Sequence, residues 1–294
     1  MKSNVPVVVF SSLDAALLDS HACSSDATKA LELLASEGIP LVFCSSKTRA
    51  QLELIHQEIG ISHPFISENG AAVFVPSGYF DFEVPNARDI AGYRAVEFGK
   101  AYADVVKALH RAAERLRINV IGFNNMSVEE VAVDCHLSLL QARLAKLREY
   151  DEPFRILESD VRARNRLAKA LQAANLACTS HGRYEHVGAP VDPEIGVNFL
   201  CTLYRRAFGS VFTVGLGDNL NDAPLLRRVD IPLIVDGDER AVIRPLLAKV
   251  TRARLTSAAG VAGWADAIVA TVDAIRQHGS PDLPIQSSGR VTRA

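Results

Sequence analysis

A chain of 294 residues can bury a large core and suits one big domain or two modest ones. Hydrophobic residues make up 48%, charged residues 22%, and the net charge is -2, so composition gives no bulk electrostatic pull toward nucleic acid or an anionic membrane. Five scattered cysteines (Cys23, Cys44, Cys135, Cys178, Cys201) form no Cys-x-x-Cys pair, no apolar run is long enough to span a bilayer, and no leader pattern opens the sequence, so a cytoplasmic, reduced protein without a zinc site is expected.

Val7-Val8-Val9-Phe10 is a continuous β-branched and aromatic run and reads as a buried strand. It enters the polar turn Ser11-Ser12-Leu13-Asp14. A helix is predicted from about Ser25 to Glu37, with Ser24, Ser25 and Asp26 as caps, helical spacing of Ala30, Leu31, Leu33 and Leu34, and Gly38 as its stop. Ile39 to Cys44 is a second apolar strand, Arg49 to Ile59 a helix stopped by Gly60, and Phe65-Ile66 a short third strand. Ser67-Glu68-Asn69-Gly70-Ala71 turns the chain into Val73-Phe74-Val75, Asn-Gly being a strong turn dipeptide. Alternation of strand and helix predicts an α/β fold with a doubly wound parallel sheet.

From 84 to 185 the chain is richer in helix formers and charge, and an inserted α+β domain is predicted. Its helices fall at about Phe98–Leu116, Ser138–Glu149 and Val161–Ala174, with a helix start at Ser127-Val128-Glu129-Glu130 and strands at Asn119–Phe123 and Tyr184–Val187. The basic face Arg162, Arg164, Arg166 and Lys169 reads as a solvated surface. The α/β pattern then resumes with helix Gly196–Phe208, strand Val211–Val214, strand Ile231–Val235 and a closing helix at about Gly263–Ile275 carrying a core Trp264. The predicted organisation is a core over 1–83 and 186–278, the insert over 84–185, and a loose tail over 279–294.

Two constellations carry chemistry. Gly215-Leu216-Gly217-Asp218-Asn219-Leu220-Asn221-Asp222 follows a buried strand, and its hard oxygens suit Mg²⁺, which keeps several waters and takes one or two carboxylates. The same residues also suit a Gly-rich turn whose Asp caps a helix. Ser45-Ser46-Lys47 follows the second strand and offers hydroxyls, backbone N–H groups and a cation to a phosphate, or alternatively an ordinary helix cap. His186 and the other histidines show no ligand spacing and are read as core or surface residues.

The order of Ser11-Ser12-Leu13-Asp14, Ser45-Ser46-Lys47-Thr48-Arg49, Glu68-Asn69-Gly70-Ala71 and the Gly215–Asp222 run resembles haloacid dehalogenase (HAD) phosphatases with a large α/β cap. Within the insert, Glu97-Phe98-Gly99-Lys100, Met126-Ser127-Val128-Glu129-Glu130-Val131, Arg148-Glu149-Tyr150-Asp151-Glu152-Pro153-Phe154 and Gly182-Arg183-Tyr184-Glu185-His186-Val187 are similar to mannosyl-3-phosphoglycerate phosphatases. The resemblance implies a HAD-like core with an inserted cap that selects a phosphorylated sugar acid. It implies phosphate binding by Ser45, Ser46 and Lys47, and substrate contacts from Asn69, Arg148, Glu149, Glu152 and Arg183. It also implies a Mg²⁺ site drawing on Asp14, Asp218, Asn221 and Asp222. The four charged residues in the insert equally suit surface helix charge and a sheet-edge Arg.

By the same resemblance, the first Asp of the opening motif attacks phosphorus, the second protonates the leaving alkoxide and then activates water, and a third-motif Lys neutralises the nucleophile and phosphoryl oxygens. Here the nucleophile's position holds Ser12, the acid–base position keeps Asp14, Ala15-Ala16 replaces Gly-Thr, and the Lys falls on Pro193. A serine hydroxyl needs a base where a carboxylate is already anionic. Joint loss of anion and cation is coherent, because an unpaired buried charge is costly. The expectation is a protein that binds a phosphorylated sugar acid or a protein partner with its phosphomonoesterase activity lost or severely impaired. The alternative is a Mg-dependent hydrolase of altered chemistry using Asp14 and Asp218.

Overall fold

A computed structural model describes residues 5–13, 25–157, 161–181, 183–192, 194–237 and 240–278. Asp14, Ala15, Ala16, Pro193 and the tail 279–294 therefore lie outside the described residues. In chain order the first elements are β1 (Val7–Ser12), α1 (Ser25–Ser36), β2 (Leu41–Cys44), α2 (Arg49–Glu58), β3 (Phe65–Ser67), β4 (Ala72–Pro76), β5 (Arg88–Ile90) and β6 (Tyr93–Glu97). Then come α3 (Tyr102–Leu116), β7 (Val120–Gly122), α4 (Val128–Cys135), α5 (Leu139–Ala145), β8 (Glu152–Ile156), α6 (Val161–Gln172), β9 (Ala177–His181) and β10 (Tyr184–Gly188). The chain closes with α7 (Glu194–Phe208), β11 (Phe212–Gly217), α8 (Ala223–Arg228), β12 (Ile231–Asp236), α9 (Arg240–Lys249), β13 (Arg254–Ala259) and α10 (Gly260–His278).

These elements form two compact units, with β1 running from one into the other between Val9 and Phe10. The first unit holds residues up to Val9, the α1 region and everything from Phe208 onward. Its strands lie in the order β13-β12-β11-β1, and β11, β12 and β13 pair in parallel. Parallel neighbours need crossovers, which α8 and α9 supply. Trp264 of α10 is fully buried, as its place on the apolar face of a closing helix requires.

The second unit, Phe10–Asp14 with Leu41–Ala207, carries two sheets. In the first, β2 and β3 are parallel, and the antiparallel run β3-β4-β6-β5 widens the sheet beyond its parallel part. The second is a four-stranded antiparallel sheet in the order β7-β8-β10-β9. Because side chains alternate along a strand, Val187 and Phe154 enter a core with Val105 and Leu109 of α3 and Leu167 and Leu171 of α6. Tyr184, on the opposite face, packs with Phe123, Met126 and Val131 under α4 and α5. Each large side chain so buried contributes roughly 1.5–3 kcal/mol.

Helix starts follow their caps. Thr48, Ser127 and Ser138 each accept an N–H from the third helical residue, and that residue's side chain (Gln51, Glu130, Gln141) accepts the cap's own N–H. The helix expected over Ser138–Glu149 stops at Ala145, and the residues after it form a turn described below. Five strands escaped the sequence reading for physical reasons. Those at β5 and β13 are edge strands with largely exposed residues, β6 mixes Arg94 and Glu97 into a run without apolar alternation, β8 opens on Glu152-Pro153, and β9 has no large apolar residue. The helix α9 carries Pro245 in its interior, which masks it in the sequence.

Candidate functional site

In the second unit, β1 and β2 are neighbours in the sheet and end in Ser12 and Cys44. Ser12 is 5% exposed, and its carbonyl accepts the Ser11 hydroxyl at 2.8 Å. After β2 the chain makes the tight turn Ser45-Ser46-Lys47. Lys47 N–H donates to Ser45 Oγ at 3.1 Å, which leaves the Ser45 hydroxyl its own proton to give. The cap of α2 is Thr48, so Ser45 is not consumed in capping. Ser46 N–H has no hydrogen-bond partner among the described residues. Buried or half-buried hydroxyls with an uncommitted N–H and a neighbouring ammonium make an anion-binding turn in chemical terms.

The turn is held from behind by Glu68-Asn69. Glu68 N–H donates to Lys47 O and Asn69 N–H to Ser45 O, each at 3.1 Å. Both residues sit in the left-handed region, with φ of 46° and 59°, which costs a non-glycine residue on the order of 1 kcal/mol or more. The Glu68 carboxylate offsets that cost. It is 2% exposed and accepts the consecutive N–H groups of Glu149, Tyr150 and Asp151, all at 2.9 Å.

Arg148 lies between these carboxylates. Its Nε is 3.5 Å from Glu68 Oε2 and donates to Asp151 O at 3.3 Å, its Nη2 pairs with the Asp151 carboxylate, and its Nη1 donates to Ser46 O at 3.1 Å. Asp151 also accepts from Asn69 Nδ2 at 3.2 Å and lies 2.8 Å from His186 Nδ1. Burial, and then the Arg148 cation, pull the His186 imidazole down to about 3, so the ring is neutral and donates from Nδ1. Glu152 is fully buried and accepts from Tyr102 OH at 2.7 Å and Asn124 N–H at 2.9 Å. Burial pushes its carboxyl up, against these donors. An added Cβ at Gly122 would run into that carboxylate, which explains glycine there.

Of the residues predicted to contact substrate, Asn69, Arg148 and Glu152 thus share one buried polar cluster. Glu149 lies at its margin and pairs with Arg49, Nε to Oε2 at 3.2 Å. Arg183 lies elsewhere, exposed, with Nη1 3.8 Å from Asp134 Oδ1 in a group that includes Arg155 and Tyr184. Glu68, Asp151 and Tyr102 were not singled out from sequence. The signal was present in Glu68: an acid immediately before Asn-Gly, between two buried strands, needs donors.

In the first unit, β11 leads into Gly217-Asp218-Asn219-Leu220-Asn221-Asp222. Asp222 Oδ2 accepts Asp218 N–H at 2.9 Å and Asn219 N–H at 3.2 Å, while Asn219 Nδ2 donates to Asp218 Oδ1 at 2.8 Å. A Cβ at Gly217 would collide with the Asp222 side chain. Burial first, and then the Asp218 charge, push the Asp222 carboxyl up. Of the two chemistries expected here, the turn-shaping one is therefore seen directly.

A family model described as haloacid dehalogenase-like hydrolase matches residues 9–91. A glucosyl-3-phosphoglycerate/mannosyl-3-phosphoglycerate phosphatase of Methanococcoides burtonii is 39% identical over 263 residues, covering 89% of this chain and 96% of the relative. This chain belongs to the haloacid dehalogenase-like hydrolases. A phosphatase of the same name from Persephonella marina is 37% identical over 232 residues, covering 78% of this chain and 84% of its own length. Among solved structures, a Thermoplasma acidophilum protein (TM-score 0.61, 15% identity, 89% of this chain and 96% of that one) shares the fold. So does a haloalkanoate-superfamily phosphatase from Bacteroides thetaiotaomicron (TM-score 0.60, 16% identity, 91% and 95%). This HAD-like chain thus has the family's α/β fold with a parallel-sheet core.

Phosphatases of the HAD superfamily generally use Mg²⁺. Among the described residues no three His, Cys, Asp or Glu side chains are grouped to hold a metal. The donors of the Asp218–Asp222 loop are all oxygens, which fits a hard cation that keeps most of its waters. No helix among the described residues is long and apolar enough to cross a membrane.

Proposed function

We propose that this chain binds a phosphorylated sugar acid of the glycosyl-3-phosphoglycerate class and has lost, or nearly lost, the ability to hydrolyse it. The observation that carries the reading is Ser12: a buried hydroxyl ends β1 where the family's chemistry needs a carboxylate nucleophile. A hydroxyl cannot form an aspartyl-phosphate, and removing a nucleophile typically costs on the order of a million-fold in rate. The names of the two curated relatives support the ligand class. The Ser45-Ser46-Lys47 turn supports phosphate recognition, because it places two hydroxyls and a lysine in one tight turn while Thr48, not Ser45, caps the helix that follows.

Mg²⁺, when bound, would be held by Asp218 with Asn221 and Asp222 and would supply positive charge against phosphoryl oxygens. The retained acids of that loop also favour a second reading, in which Asp14 and Asp218 support a Mg-dependent hydrolysis of altered chemistry. Titration calorimetry with mannosyl-3-phosphoglycerate tests the binding half of the proposal. Saturable heat that disappears in Lys47→Met is expected, and no heat with the folded wild-type protein would refute it.

A further inference from the structure

We infer that Arg148 is a positioning residue for the Ser45-Ser46-Lys47 turn, acting on a bound phosphate through that turn and not by touching the ligand. The inference rests on the phosphate-binding reading above and adds what makes that turn competent. All three nitrogens of the guanidinium are already committed. Nη1 is on Ser46 O, Nε is on Asp151 O and near Glu68, and Nη2 is on the Asp151 carboxylate. The side chain is 3% exposed, so it offers no donor to a ligand.

Two consequences follow from this placement. First, fixing Ser46 O sets the plane of the Ser46–Lys47 peptide, while Glu68 N–H and Asn69 N–H fix the carbonyls on either side of it. The turn is therefore preorganised at each of its three carbonyls. Second, Arg148 sets a buried positive charge against Glu68 and Asp151, with His186 neutral on the other side of Asp151. Without it, Glu68 and Asp151 would lose their guanidinium partner and their charge would oppose a phosphate on the turn, in a medium that screens far less than water.

The test uses the full-length protein titrated with inorganic phosphate, followed by the amide resonances of Ser45, Ser46 and Lys47 at a temperature well below unfolding. Wild type is expected to shift those resonances saturably. Arg148→Met is expected to bind phosphate roughly tenfold or more weakly, and Arg148→Lys to fall between the two. Tyr102→Phe removes a hydrogen bond to Glu152 at the other side of the same cluster. It is expected to lower the melting temperature and leave phosphate affinity unchanged, which separates positioning from general damage. Wild-type affinity in folded Arg148→Met, or equal weakening in Tyr102→Phe, would overturn the inference. Should Arg148→Met fail to fold, Arg148→Lys decides: roughly threefold weakening supports the inference and unchanged affinity overturns it. Phosphate that leaves the wild-type turn unperturbed would instead overturn the reading beneath it, and Lys47→Met distinguishes the cases by abolishing binding only where the turn is the site.

Discussion

Two acid-rich regions of this molecule treat their carboxylates differently. Around Glu68 and Asp151, each carboxylate is enclosed by donors: three backbone N–H groups for one, and a guanidinium, a carboxamide and an imidazole for the other. In the Asp218–Asp222 loop, two carboxylates stand close together, and among the described residues the donors that reach Asp222 are two N–H groups on a single oxygen. The first arrangement spends its acids on holding backbone in place. The second buries a carboxylate beside another, and burial, then the Asp218 charge, raises the Asp222 carboxyl; a hard cation would neutralise that charge. Acid content alone does not separate a structural cluster from a chemical one; the count of donors per carboxylate does.

The contrast can be broken most severely at Glu68. Glu68→Ala orphans three buried N–H groups and an arginine, so a loss of about 3–5 kcal/mol is expected in urea unfolding. A loss under about 1 kcal/mol would show that the cluster holds nothing.

A smaller effect is expected from acid. The His186 pKa lies below its unfolded value, so the unfolded chain binds the extra proton and stability falls as pH drops from about 6.5 toward 3. The contribution is fully present above the unfolded pKa. His186→Asn keeps a donor for Asp151 and is expected to remove roughly 3 kcal/mol of the drop between pH 6.5 and 4. Identical pH dependence in the two proteins would contradict the assignment.

The smallest effect should come from the other region. Asp222→Asn keeps an oxygen for both N–H groups while removing a charge that burial disfavours, so stability at pH 7 is expected to change by less than about 1 kcal/mol. The sign of its pH response is opposite to that of His186. A raised carboxyl binds its proton more tightly when folded, so stability falls as pH rises, and the variant should lose that slope. A cost of several kcal/mol would place Asp222 with Glu68 instead.

Much of the fold was legible in sequence, because Val7–Phe10, Leu41–Cys44 and the Gly215–Asp222 run carry strong local patterns. The edge strands were not, since exposed Arg88-Asp89 and Arg254 give no apolar alternation. The candidate site divides in the same way. Ser12, Ser45 and Lys47 stand in motifs of fixed order and could be read directly. The partnership of Glu68 with residues 149–151 spans more than 80 positions and has no local signature. Arg148 was visible as a charge, but its burial against Ser46 O depends on that long-range contact.

The central claim is that the frame of a phosphatase binds its class of ligand without turning it over. Steady-state phosphate release from mannosyl-3-phosphoglycerate and glucosyl-3-phosphoglycerate, with Mg²⁺ present and enzyme in micromolar amounts, tests it most directly. The account predicts no release above background in the wild type. It also predicts none in Ser12→Asp alone, since the proposal sets Pro193 at the Lys position. Steady release by the wild type that vanishes in Asp14→Asn would contradict it.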